Sequence, residues 1–134
     1  MTPQLGRTQE CNRAQAVVRL DQARAFLEVA ELVIGEDDEL ANDNVVAALA
    51  VLAGIAACDA ACCGTLGRRS RGQDHRQAIQ LVARLGLMAM RCRRRFVGCS
   101  TSRTTRTMVY VGPRQAKSAV RNARALVDGA ELLT

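Results

Sequence analysis

Residues 67–75 read Gly67-Arg68-Arg69-Ser70-Arg71-Gly72-Gln73-Asp74-His75 and set the only histidine of the chain behind three arginines. An imidazole gives or takes a proton near pH 7. A guanidinium stays charged and forks onto phosphate oxygens. Side by side, these groups suit chemistry on a phosphodiester. In metal-independent RNA cleavage a base removes the 2′-OH proton, and a cation stabilises the charge that builds on the phosphorane. Arg69 and His75 have five residues between them, so a loop brings both to one phosphate. The competing reading is structural: Asp74 caps a helix and His75 merely opens it, since motifs this short match often by chance.

Asp59 is the one charge in a long apolar segment, and a buried acid must be paired or protonated. Its place ahead of the arginine stretch suggests that it anchors Arg68 or Arg69, or orients His75. Of the six cysteines, Cys58 and Cys62 lie four apart with Cys63 adjacent. A zinc site needs four ligands in tetrahedral geometry. The surrounding Ala56, Ala57, Ala60 and Ala61 show instead that small residues are wanted here, so these cysteines read as small hydrophobes and no metal is expected. The densest basic cluster is Arg91, Arg93, Arg94 and Arg95, continued by Arg103 and Arg106. With Arg114, Lys117, Arg121 and Arg124 it could follow a phosphate backbone, or form a solvated face, or match an acidic partner. Walker, Rossmann and nucleophile-elbow patterns are absent from the sequence, and no cofactor is expected.

The elements that carry these groups are helices. Ala16, Leu20, Ala23, Leu27, Ala30 and Ile34 recur at steps of 3 and 4, which predicts a helix over 13–34 ended by Gly35. An acidic turn, Glu36-Asp37-Asp38-Glu39, follows it. Asn44 is the expected N-cap of a second helix over 45–63, closed by Gly64 and apolar on every side except at Asp59. Asp74 and Gln77 resemble a capping box that starts a third helix at His75, with Ala78, Leu81, Val82 and Leu85 inward. A short fourth helix covers 87–97, and 98–112 reads as a basic Ser/Thr/Arg loop. Pro113 opens the last helix, whose inward stripe is Ala116, Ala119, Ala123, Leu126, Ala130 and Leu133. Residues 1–11 are expected to be flexible. No strand pattern is visible, so the chain reads as one all-α domain over 1–134, an up-and-down bundle of three long helices and two short ones.

Composition agrees with one domain. A chain of 134 residues can bury a real core. Its 49% apolar content with ten glycines and two prolines excludes disordered and fibrous classes. The longest apolar run, 45–58, is 14 residues and falls short of the roughly 20 that a membrane span needs. The first fifteen residues lack the apolar core of a leader peptide, so a reduced, cytoplasmic setting is expected. The formal net charge of +6 is divided unevenly. Residues 1–67 hold four arginines against ten acids, whereas 68–134 hold fourteen arginines and a lysine against three acids. One half therefore seeks anions: nucleic acid, nucleotide, or an acidic surface. Aromatics for stacking bases are nearly lacking, which argues against modules that read single strands by sequence.

The order of these features resembles the HEPN superfamily of small all-α domains. The resemblance runs from the first amphipathic helix, through Cys58-Asp59-Ala60, to Gly72-Gln73-Asp74-His75 and the final Ala116-x-x-Ala119-x-x-x-Ala123-x-x-Leu126 pattern. Catalytic members carry an arginine, a polar residue, and a histidine after four to six intervening positions. Arg69, Ser70 and His75 match that spacing, as does Arg68 at its upper limit. Ser70 stands where asparagine, aspartate or histidine is more usual, and the motif falls earlier in the chain than in most catalytic members. The resemblance implies a metal-independent endoribonuclease of the toxin type, with Arg69 holding phosphate and His75 as acid/base. Arg68, Asp59 and Ser70 would support them, and Arg71 with the other arginines would bind RNA. It also implies a homodimer, and an antitoxin or nucleotidyltransferase-like partner. The family includes non-catalytic members as well, so a module that binds nucleic acid, nucleotide or protein stands as the alternative.

Overall fold

A computed structural model describes residues 8–36, 42–70 and 112–134 of the chain. In chain order these form β1 (Thr8–Glu10), α1 (Arg13–Val33), α2 (Asp43–Leu66), β2 (Arg68–Ser70) and α3 (Pro113–Leu133). The protein is mostly helical, as the 3- and 4-residue spacing requires. The expected helices after His75 and over 87–97, and the expected loop over 98–112 as far as residue 111, lie outside the described residues.

Each helix begins where a side chain satisfies its first backbone N–H groups. Asn12 and Gln15 form a reciprocal capping box on α1, each backbone amide donating to the other's side-chain oxygen at 2.9 Å. At α2 the N-cap is Asn42 rather than Asn44, its Oδ1 accepting from the Val45 amide at 3.1 Å. Starting earlier places Asp43 in the first turn, where a negative charge meets the positive end of the helix dipole. Pro113 opens α3 as expected. Its Gln115 side chain accepts from the Gly112 amide at 3.0 Å.

The ends diverge more from expectation. Gly64 does not close α2; the helix runs on to Leu66 and turns at Gly67, whose φ of 65° is the left-handed conformation that glycine tolerates. Gly64 serves packing instead. A Cβ there would stand 2.6 Å from the Leu133 carbonyl oxygen at the end of α3. Gly64→Ala would raise helix propensity by about 1 kcal/mol but force two backbones apart, and such overpacking costs about 1–3 kcal/mol. We expect a net loss of about 1 kcal/mol in urea unfolding. A variant more stable than wild type would show that the end of α3 yields freely.

The core is built mostly from small side chains. Ala16, Leu20, Ala23, Leu27 and Ala30 of α1 are buried, and so are Ala116, Ala119, Val120, Ala123, Leu126, Val127 and Ala130 of α3. Between them α2 buries residues on all sides, including Ala50, Ala53, Ala56, Ala57, Ala60 and Ala61. This is the central position its unbroken apolar character predicts. Alanine at these contacts lets helix axes approach at the short end of the 8–10 Å range.

Ion pairs across the α1–α3 seam show the relative direction of the two helices. Arg24 Nε donates to Glu131 at 2.8 Å, and Arg124 grips both oxygens of Glu31. The helix numbers rise in opposite senses, so α3 is antiparallel to α1. Since Gly64 meets Leu133, α2 and α3 end at the same pole of the bundle.

Two strands were not anticipated. Antiparallel pairing of Thr8 with Ser70, Gln9 with Arg69 and Glu10 with Arg68 forms a short ribbon at that pole. The segment 1–11, expected to be flexible, thus holds a short strand over Thr8–Glu10. The ribbon arises because Gly67 reverses the chain beside α1's entry, where the Cys11 amide donates to the Gly67 carbonyl at 2.9 Å. A three-residue strand leaves no alternating pattern long enough to read.

Candidate functional site

The ribbon positions the first two arginines of the motif. Arg69 is half-buried on β2, and its Nη2 donates to Gln9 Oε1 at 3.3 Å on the facing strand. Arg68 is exposed, with Nη2 3.5 Å from Glu10 Oε1. Beneath the ribbon Cys11 is joined to Cys63 by a disulfide that links residues 52 apart in sequence. Reading Cys63 as a free small hydrophobe is thus corrected. Its neighbour on the helix surface is Cys11, brought there by the ribbon. Cys58 and Cys62 are buried and reduced. Among the described residues, no group of three or more His, Cys, Asp or Glu side chains is placed to hold a metal ion.

Asp59 is buried and charged-paired, as its setting in α2 demands, but its hydrogen-bond partner is Arg19. Arg19 Nη2 donates to Asp59 Oδ2 at 2.6 Å, and Nη1 donates to Gln22 Oε1 at 2.6 Å. The pair forms because α1 and α2 are antiparallel neighbours, which sets residue 19 against residue 59. Burial pushes the Asp59 carboxyl above its ordinary value, Arg19 opposes that shift, and the field of Arg69 opposes it further. Anchoring of Arg68 or Arg69 by direct contact with Asp59 is therefore corrected to a longer-range attraction for Arg69. Arg19 was overlooked in the sequence. The signal was there: it stands next to Leu20 at the edge of the buried seam, and the apolar α2 holds one acid that needs a cation.

The expected phosphate track divides. Arg124 is committed to Glu31, which stabilises its charged form and ties α3 to α1. Arg114, Lys117 and Arg121 are exposed on the first half of α3. With a rise of 1.5 Å per residue, Arg114 lies roughly 28 Å along the axis from Leu133, and hence from the ribbon pole. Arg69 and Arg114 do not meet at one phosphate. His75, Arg71, Arg91, Arg93, Arg94, Arg95, Arg103 and Arg106 lie outside the described residues. Ser70 is placed by its backbone pairing with Thr8.

The α2 helix is long and apolar enough to cross a membrane by length and composition, but 67% of its most apolar stretch is buried inside the protein. A core helix of a bundle has this character. Comparison with protein-family models, with curated proteins and with solved structures found no match.

Proposed function

We propose that the chain is a HEPN-like bundle of three long and two short helices that acts as a metal-independent endoribonuclease. Arg69 holds the scissile phosphate and His75 carries the proton. The observation that supports this reading is the setting of Arg69: half-buried, on a ribbon tied to the bundle, and drawn toward a buried carboxylate. A guanidinium held in this way loses less side-chain freedom on binding phosphate than one on a solvated arm. In the reaction His75 takes the 2′-OH proton and the oxygen attacks phosphorus. The P–O5′ bond then breaks, and the leaving oxygen receives a proton. Arg69 stabilises the charge on the phosphorane. We propose a cytoplasmic homodimer that brings two motifs to one cleft, with an antitoxin or nucleotidyltransferase-like protein as its partner.

The test is cleavage of single-stranded RNA by purified protein in EDTA, beside His75→Ala and Arg69→Ala. General acid–base catalysis is worth 10²–10⁴-fold, so each variant should fall by about a hundredfold or more. Equal activity in all three proteins would overturn the catalytic reading. The exposed Arg114, Lys117 and Arg121 favour a second reading, a helical module that binds an anionic polymer without cutting it. Binding that weakens on raising salt, with no cleavage by wild type, would select that reading.

A further inference from the structure

The ribbon that presents Arg69 is fastened to the bundle at its base. Among the described residues its ladder is three residues long, and an isolated two-stranded ribbon is marginal in water. The Arg68–Glu10 and Arg69–Gln9 contacts lie at the surface, where such pairs contribute little. One backbone hydrogen bond, Cys11 to Gly67, closes its base. The Cys11–Cys63 disulfide is its covalent tie to α2. The two cysteines are unequally placed: Cys63 is buried in α2, whereas Cys11 as a residue is half-exposed beside the ribbon. On the other side of Cys11, α1 is secured by its own Asn12–Gln15 capping box. Loosening β1 therefore stops at Asn12 and leaves the helices packed.

We propose that the Cys11–Cys63 disulfide is a redox switch that sets whether Arg69 is held in place for phosphate. The link to phosphate rests on the function proposed above; the opening of the ribbon does not. The co-reactant is a dithiol. One of its thiolates attacks Cys11 Sγ, the Cys11–Cys63 bond breaks, and Cys63 leaves with the electron pair and takes up a proton. The second thiol of the reductant then attacks its own sulfur in the mixed disulfide. Cys11 is released as a thiol and the reductant becomes a disulfide. Two electrons and two protons pass to the protein. In a reducing compartment a protein disulfide is characteristically transient and redox-sensing, which suits a switch better than a permanent staple.

The experiment compares the full chain before and after dithiothreitol with Cys11→Ser, under native conditions, using two readouts. Amide hydrogen exchange follows residues 9–11 and 68–70 against α1 and α3. Fluorescence anisotropy follows a labelled single-stranded oligouridylate. Reduction should speed exchange of the ribbon amides at least tenfold and leave them far faster than the amides of α1 and α3, which exchange only through global unfolding, and should weaken oligouridylate binding severalfold. Cys11→Ser should match the reduced protein and ignore dithiothreitol. Ribbon exchange that is unchanged by reduction would overturn the switch. An open ribbon with undiminished binding would overturn its coupling to phosphate. An open ribbon in a protein that binds no RNA in either state would overturn the RNA reading and leave the redox device standing.

Discussion

Cys11→Ser should lower the stability of the oxidised protein by about 4 kcal/mol, since a cross-link between residues 52 apart removes that much loop-closure freedom from the unfolded chain. The effect lies chiefly in the unfolded state, because the substitution removes little packing from a half-exposed position. Urea unfolding gives two checks. The midpoint should fall, and the dependence on urea should steepen, since a chain without the cross-link exposes more surface on unfolding. Wild type in excess dithiothreitol should behave as the variant does. If reduction left the midpoint of wild type unmoved, the disulfide would contribute nothing to stability. A domain of this size is stable by about 5–15 kcal/mol, so the variant should remain folded at 25 °C.

Asp59→Ala should cost about 3 kcal/mol, because it leaves Arg19 in the α1–α2 interface with its main carboxylate acceptor removed. Among the described residues, Arg19 Nε is already buried without a partner of its own, so the loss is not softened locally. Arg19→Ala should be comparably harmful, since it strands a buried carboxylate. Replacing both, as Asp59→Leu with Arg19→Met, should recover most of the loss, because a buried ion pair and a well-packed apolar pair differ little in net stability. A double variant as unstable as the sum of the two single ones would mean that the residues act independently.

The same residue carries a pH signature of definite sign. Burial holds the folded Asp59 carboxyl above its ordinary 3.8, with Arg19 and Arg69 only partly offsetting it. The folded state therefore binds this proton more tightly than the unfolded chain. The contribution is complete below the ordinary carboxylate range and is lost as pH rises through the folded value. Other carboxylates titrate in the same range, so the comparison is with Asp59→Asn. The stability of wild type relative to Asp59→Asn should rise as pH falls toward 4. A difference that shrinks as pH falls would mean that the pairing with Arg19 dominates burial.

The helical frame was legible residue by residue. Ala16 to Ala30 and Ala116 to Ala130 reveal their buried seams because helix period and burial are tied by geometry. The breadth of apolar character in α2 marks it as the central helix for the same reason. Ends were less legible where two residues competed, as Asn42 with Asn44 and Gly64 with Gly67. At residue 64 the close approach of the Leu133 carbonyl is what calls for glycine, and nothing local to the sequence there records it.

Long-range partners account for the rest. Asp59 had to be neutralised, and its chemistry in an apolar helix says so. That Arg19 does this, rather than Arg68 or Arg69, depends on the antiparallel approach of α1 to α2. The pairing of Cys11 with Cys63 and the role of Arg124 likewise follow from which surfaces touch. Residue type set what each of these groups requires: an acid out of water needs a cation, and a helix end needs a cap. Only the tertiary structure decided which residue answers, because partners separated by 40, 52 and 93 positions are chosen by packing, to which sequence spacing is blind. The arginine loop that first drew notice thus becomes, at Arg68 and Arg69, a short strand fastened to the start of the chain.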